Sequence, residues 1–96
     1  MSPFNKKKLN KLRFKLDKLD NELLKLIKKR SNLVNEVLKV KVYKKEIIDK
    51  KRIKFILKKI KKKSSQIKVD TKITNRIWKN MIWSFIDYEK RNFKKK

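Results

Sequence analysis

An arginine sits in a seam of leucines. Leu9, Leu12, Leu16, Leu19, Leu23, Leu26, Leu33, Val37 and Val40 recur at alternating spacings of three and four, the pattern of a helix that buries one stripe. Arg30 stands in that series between Leu26 and Leu33. Burying a guanidinium without a partner costs several kcal/mol. An Arg here sets register, snorkels to solvent, or waits for an anion. Lys41 follows on the same helix, about 20° around its face and about 16 Å along its axis. Two long cationic side chains reaching toward each other from those positions bracket the size of a small ligand. Arg13 lies about 26 Å before Arg30 and about 100° around. It reaches the same ligand only from a second, antiparallel copy of the chain.

Four further residues bear polar chemistry. Asp49 and Arg52 fall in the first turn of a second helix, where Asp49 also reads as its N-cap. Ser84 and Tyr88 are one turn apart on a third helix, so their hydroxyls share a face or pack in the core bonded to backbone. Among the 96 residues there is no His and no Cys. That removes the usual general base, the usual metal ligands, disulfides and thiolate nucleophiles. Gly is also absent, which excludes a phosphate-cradling Gly-rich loop. Neither a metal nor a cofactor is expected.

The elements that must position these residues are all helical. With no Gly and one Pro, tight hairpins are not available. Ser2 and Pro3 read as N-cap and first position of a long helix. It runs to about Tyr43, roughly 40 residues or about 60 Å. Residues 44–48 read as a connector. The second helix spans Lys50 to about Lys62, with an apolar face of Ile53, Ile56, Leu57 and Ile60. Lys63-Ser64-Ser65-Gln66 reads as a loop. Asp70 caps a third helix to about Asn92, with Ile73, Ile77, Met81, Phe85 and Tyr88 on its apolar face and Trp78 and Ile82 beside them. A basic tail from about 93 to 96 frays.

Helices of about 20 Å and 35 Å do not cover a seam of about 60 Å. A second copy of the long helix does, and two-fold dimers are the commonest oligomers. The expected fold is all-α: one domain, residues 1–96, three helices per chain, in an intertwined homodimer. The alternative is a monomeric three-helix bundle with a frayed first helix.

The charge is extreme, with 33 Lys+Arg against 9 Asp+Glu and a net +24. It reads either as a surface for an anionic partner or as coding bias, because Lys, Ile and Asn have A/T-rich codons. The basic residues scatter around the helices and form no single stripe, which favours bias. Nucleic acid is therefore not expected as a partner. No apolar run reaches membrane-span length and no signal-peptide core precedes the charged start, so no membrane partner and a cytoplasmic location are expected.

The run Leu12-Arg13, Leu19-Asp20, Leu23-Leu24, Leu26-Ile27, Arg30, Val37 and Lys41 resembles the first helix of the all-helical class of chorismate mutase. Ile48-Asp49, Arg52 and Ile56-Leu57 resemble its second helix, and Ile73, Ile77-Trp78, Ile82 and Ser84 its third. The resemblance covers about residues 8 to 90. Each motif is weak alone; their order and spacing together are specific. It implies an intertwined dimer that converts chorismate to prephenate by a Claisen rearrangement, on the route to Phe and Tyr. By position, Arg30 and Arg13 of the other chain would bind the two carboxylates. Lys41 would donate to the ether oxygen, and Asp49 and Arg52 would sit over the ring side. Ser84 would support a carboxylate, with Tyr88 one turn on at the ether oxygen.

Such a reaction needs no nucleophile and no proton transfer, so the missing His and Cys are no objection. It needs the substrate folded with its reacting ends together and positive charge at the ether oxygen as the C–O bond breaks. Arg suits carboxylates through its planar fork, and Lys suits the ether oxygen as a compact charge. Two positions depart from the family. After Arg52 it usually has Glu, which holds the ring hydroxyl; here Ile53 stands there. One turn after Ser84 it usually has Gln or Glu; here Tyr88 stands there. Reduced activity is the expected consequence. The competing readings are an isochorismate-type lyase on the same fold, a basic helical nucleic-acid-binding protein, and a non-catalytic coiled-coil partner.

Overall fold

Ser2 opens the first helix. Its hydroxyl accepts from the Asn5 amide at 3.2 Å and its carbonyl from Lys6 at 2.9 Å, with Pro3 at the first helical position where no amide is needed. In the computed structural model, which describes residues 2–95, the chain is all-helical, with no strand among those residues. Helix α1 is Pro3–Val40, α2 is Lys50–Gln66 and α3 is Thr71–Asn92, with a 3-10 turn Lys44–Ile47 between α1 and α2. The chain divides into two units, residues 1–33 and 34–96.

The first unit is helical throughout its described length apart from Ser2. Its seam leucines are uncovered in the single chain: Leu16, Leu19, Leu23 and Leu26 are each more than half exposed. Contiguous exposed apolar surface of this kind marks an interaction surface.

The second unit holds the core. Ile47 of the 3-10 turn and Ile82 and Ile86 of α3 are buried, and Leu38, Ile53, Ile56 and Leu57 pack against them. Helix α2 and the 3-10 turn both pack on α3. Asp49 caps α2 by accepting from the Arg52 amide at 2.9 Å, and Asp70 caps α3 by accepting from Lys72 at 2.7 Å. Both caps were expected from the sequence, as was the span of α3.

Four expectations need correction. Helix α1 stops at Val40, short of Tyr43, because the Glu46 carboxylate accepts from the Val42 and Tyr43 amides at 2.9 and 3.3 Å. Those amides are drawn out of the helical ladder. Lys41 consequently begins the connector and does not sit on the α1 face. The expected loop Lys63-Ser64-Ser65-Gln66 is the last turn of α2. Ser64 is buried there, its hydroxyl bonded to the Ile60 carbonyl at 2.7 Å and to Thr74 Oγ1 at 2.8 Å. A serine read as a turn residue is instead a polar link between α2 and α3. On α3, Ile73 and Ile77 are exposed, while Ile82, Ile86 and Glu89 face the core. The helix carries a second apolar stripe on its other side. Phe93, placed at the start of the fraying tail, packs against the core; Lys94 and Lys95 are exposed, and Lys96 lies outside the described residues.

Helix α2 ends in a Schellman motif: Val69 donates to the Ser64 carbonyl at 2.9 Å and Lys68 to Ser65 at 3.2 Å. The motif needs a left-handed residue, usually Gly. This chain has none, and Lys68 takes the position at φ 59°. A Cβ there costs about 1 kcal/mol. Lys68→Gly should therefore stabilise the fold by about 1 kcal/mol, read as a higher urea midpoint at unchanged slope, whereas Lys68→Ala should not.

Candidate functional site

Glu89 is the residue around which polar chemistry gathers in the second unit. It lies on the α3 stripe that includes Ile82 and Ile86, and it is only 6% exposed. A carboxylate taken out of water needs a cation or several donors. Lys41 supplies the cation: Nζ donates to Glu89 Oε1 at 3.3 Å and to Oε2 at 3.5 Å, and both side chains are largely buried. The early end of α1 makes this possible, since Lys41 leaves the helical path one residue after Val40 and turns toward α3.

A second polar contact lies beside the first. The Tyr88 hydroxyl donates to Asn35 Oδ1 at 2.8 Å. Asn35 is on α1 and Tyr88 precedes Glu89, so two links separated by 48 and 53 residues in sequence tie segment 35–41 to the same turn of α3. The Tyr88 carbonyl in turn accepts from Asn92 Nδ2 at 2.8 Å. Tyr88 is thus engaged with protein at both ends, and its neighbour Glu89 is the group that meets Lys41.

The other residues singled out in the sequence are placed as follows. Asp49 and Arg52 are exposed on the first turn of α2, Asp49 occupied in capping. The Arg52 guanidinium lies 5.5 Å from the centre of the Phe55 ring. Ile53, which stands where the family resembled usually has Glu, packs against the apolar core. Ser84 is exposed on α3; the structure does not bring it to Lys41. In the first unit, Arg13 is exposed and Arg30 is partly buried. Among the described residues no group of carboxylates with metal-holding geometry occurs, and none of the helices is long and apolar enough to cross a membrane.

Sequence reasoning missed Glu89. The available signal was its place on the stripe: it follows Ile82 and Ile86 by seven and three residues, which is helical spacing for a shared face. An acid on an otherwise apolar stripe in so basic a chain asks for an inward-pointing cation, and Lys41 was already under suspicion.

Comparison with known proteins bears on what this arrangement is. Searches of curated proteins and of solved structures returned no match. The family model for chorismate mutase type II matches residues 12–90. That span runs from the leucine seam through the Lys41–Glu89 pair and covers most of all three helices. The chain belongs to the chorismate mutase type II family.

Proposed function

We propose that the chain is a chorismate mutase that works as a homodimer, residues 1–96 acting as one catalytic domain, and that Lys41 is the cation at the breaking C–O bond. The observation that carries this reading is the Lys41–Glu89 pair: a lysine held in a mostly buried place by a carboxylate that leaves part of its donor capacity free. An ammonium has three N–H donors. The two contacts to Glu89 are long, at 3.3 and 3.5 Å, so an N–H remains for an ether oxygen. A lysine fixed in advance spends no reorganisation when charge develops on that oxygen.

In this reading Glu89, not Tyr88, takes the Gln-or-Glu position of the family, one residue further along α3. Ionised Glu89 accepts only. It orients Lys41, and it also subtracts from the positive field at the ether oxygen. Tyr88 acts through Asn35, holding segment 35–41 against α3. Arg30 and Arg13 of a second copy would bind the two carboxylates of chorismate, while Asp49 and Arg52 would contribute at the ring side; Ser84, five residues before Glu89 and about 140° around α3, would lie outside this pocket. The uncovered leucines of α1 are what the second copy would bury. The product would be prephenate, feeding Phe and Tyr synthesis.

Following chorismate loss by absorbance tests the reading. Wild type should turn chorismate over, and Lys41→Met and Arg30→Ala should each lower kcat/KM by about 100-fold or more, the scale for removing one group that stabilises a developing anion. Inert wild type, or variants as active as wild type, would refute it. Glu89→Gln should keep the packing, remove the opposing charge and add a donor, so kcat near neutral pH should rise several-fold; a fall to the level of Lys41→Met would show that the carboxylate itself is required. In sedimentation equilibrium the wild type should have twice the chain mass. Changing both Leu19 and Leu23 to Lys should yield a monomer that has lost activity along with its partner.

A further inference from the structure

Apart from Arg52, the function proposed above does not use the solvent face of helix α2. The helix carries nine Lys+Arg and no acidic residue in its 17 residues, and among the described residues none of those cations is ion-paired with an acid. Ile53, Ile56, Leu57, Ile60 and Ser64 mark its inward side. At 100° per residue the opposite side is Lys51, Phe55, Lys58, Lys59 and Lys62. Basic residues that look scattered along the sequence therefore cover the whole solvent side of α2, with Lys54 and Lys61 on one flank of this line and Arg52 and Lys63 on the other. Phe55 is the one aromatic in it and is 54% exposed. Arg52 and Lys59 lie over its ring, at 5.5 Å and 5.7 Å from its centre, so a base that stacks there displaces one of them toward a phosphate.

We propose that this face binds single-stranded nucleic acid, with Phe55 stacking on a base and Lys51, Lys58, Lys59 and Lys62 contacting phosphates on either side. An exposed ring set among unpaired cations is the combination that non-specific single-strand binding requires: a π-face for any base and a charged track for the backbone. The lysines extend about 16 Å along the helix, enough for several phosphates. A second copy of the chain is a poor occupant, because it would bring the same lysines against these. An anionic membrane is a poor one too, because the apolar side of α2 is turned onto α3 and a single Phe makes a weak anchor.

The test is fluorescence anisotropy of labelled oligo(dT) and oligo(U), each of about 12 nucleotides, across a salt series. The whole protein should bind both, and log K should fall against log salt with a slope of about −3, for four phosphate contacts at about 0.7 each. Replacing Lys51, Lys58, Lys59 and Lys62 together by Gln should flatten that slope and weaken binding by about tenfold or more. Phe55→Leu should weaken binding roughly tenfold without changing the slope. Lys6, Lys7, Lys8 and Lys11 changed to Gln remove the same charge from α1 and should leave binding within about twofold, since only the local stripe makes phosphate contacts. Equal losses in the two quadruple variants, or full affinity in Phe55→Leu, would overturn the proposal. So would binding to phosphatidylglycerol vesicles in place of the oligonucleotides. If circular dichroism shows the α2 quadruple variant unfolded, Phe55→Leu and the α1 variant decide the matter.

Discussion

A carboxylate buried in a chain of net charge +24 is the constraint on which the second unit turns. Glu89 lies on the stripe of α3 that includes Ile82 and Ile86, and leaving it there unpaired would destabilise the fold by roughly 3–5 kcal/mol. Lys41 removes that penalty. Its Nζ must stand within reach of α3, so the backbone has to depart from α1 before Lys41 and not after Tyr43. Glu46 completes the departure by taking the Val42 and Tyr43 amides. The turn that follows puts Ile47 into the core. Helix end, connector and core thus follow from one requirement.

The same pair links stability to the proposed chemistry in a way a surface ion pair would not. An exposed pair contributes about 0–1 kcal/mol and wanders among rotamers; Lys25–Glu22 and Lys39–Glu36 are of that kind. Lys41 and Glu89 are held from two elements distant in sequence, with Tyr88–Asn35 bracing the same turn. A catalytic cation needs that fixity, since its effect depends on being in place before charge develops. Glu89 supplies the fixity and weakens the field at once.

What could be read from the sequence was whatever rests on local signals. The caps at Asp49 and Asp70, the opening at Ser2-Pro3 and the apolar face of α2 each follow from a few adjacent residues, and the order of motifs was sufficient for the family. The errors arose where a distant partner decided the outcome. Ser64 reads as a turn residue until Thr74 is known to stand opposite it. Lys41 reads as a helix residue until Glu46 is known to cap the chain early. Helix α3 has apolar residues on two sides, so periodicity alone could not say whether Ile73 and Ile77 or Ile82 and Ile86 meet α2. Reading the helix by the other stripe left Glu89 unnoticed.

Those two stripes bear on assembly as well. Each unit leaves apolar surface in water: the leucines of α1 in the first, Ile73 and Ile77 of α3 in the second. Covering such surface yields roughly 25 cal/mol per Å², while two chains of charge +24 repel as they approach. The balance is salt-dependent, because ions screen the repulsion within about 8 Å at physiological strength and leave the apolar term nearly untouched. In the proposed dimer a dianionic substrate would shift it in the same direction, since it would place negative charge among cations that oppose one another when the site is empty. Binding and dimerisation would then be thermodynamically linked. In that scheme the charge that hinders assembly of the empty protein is also what makes the substrate a partner in completing it.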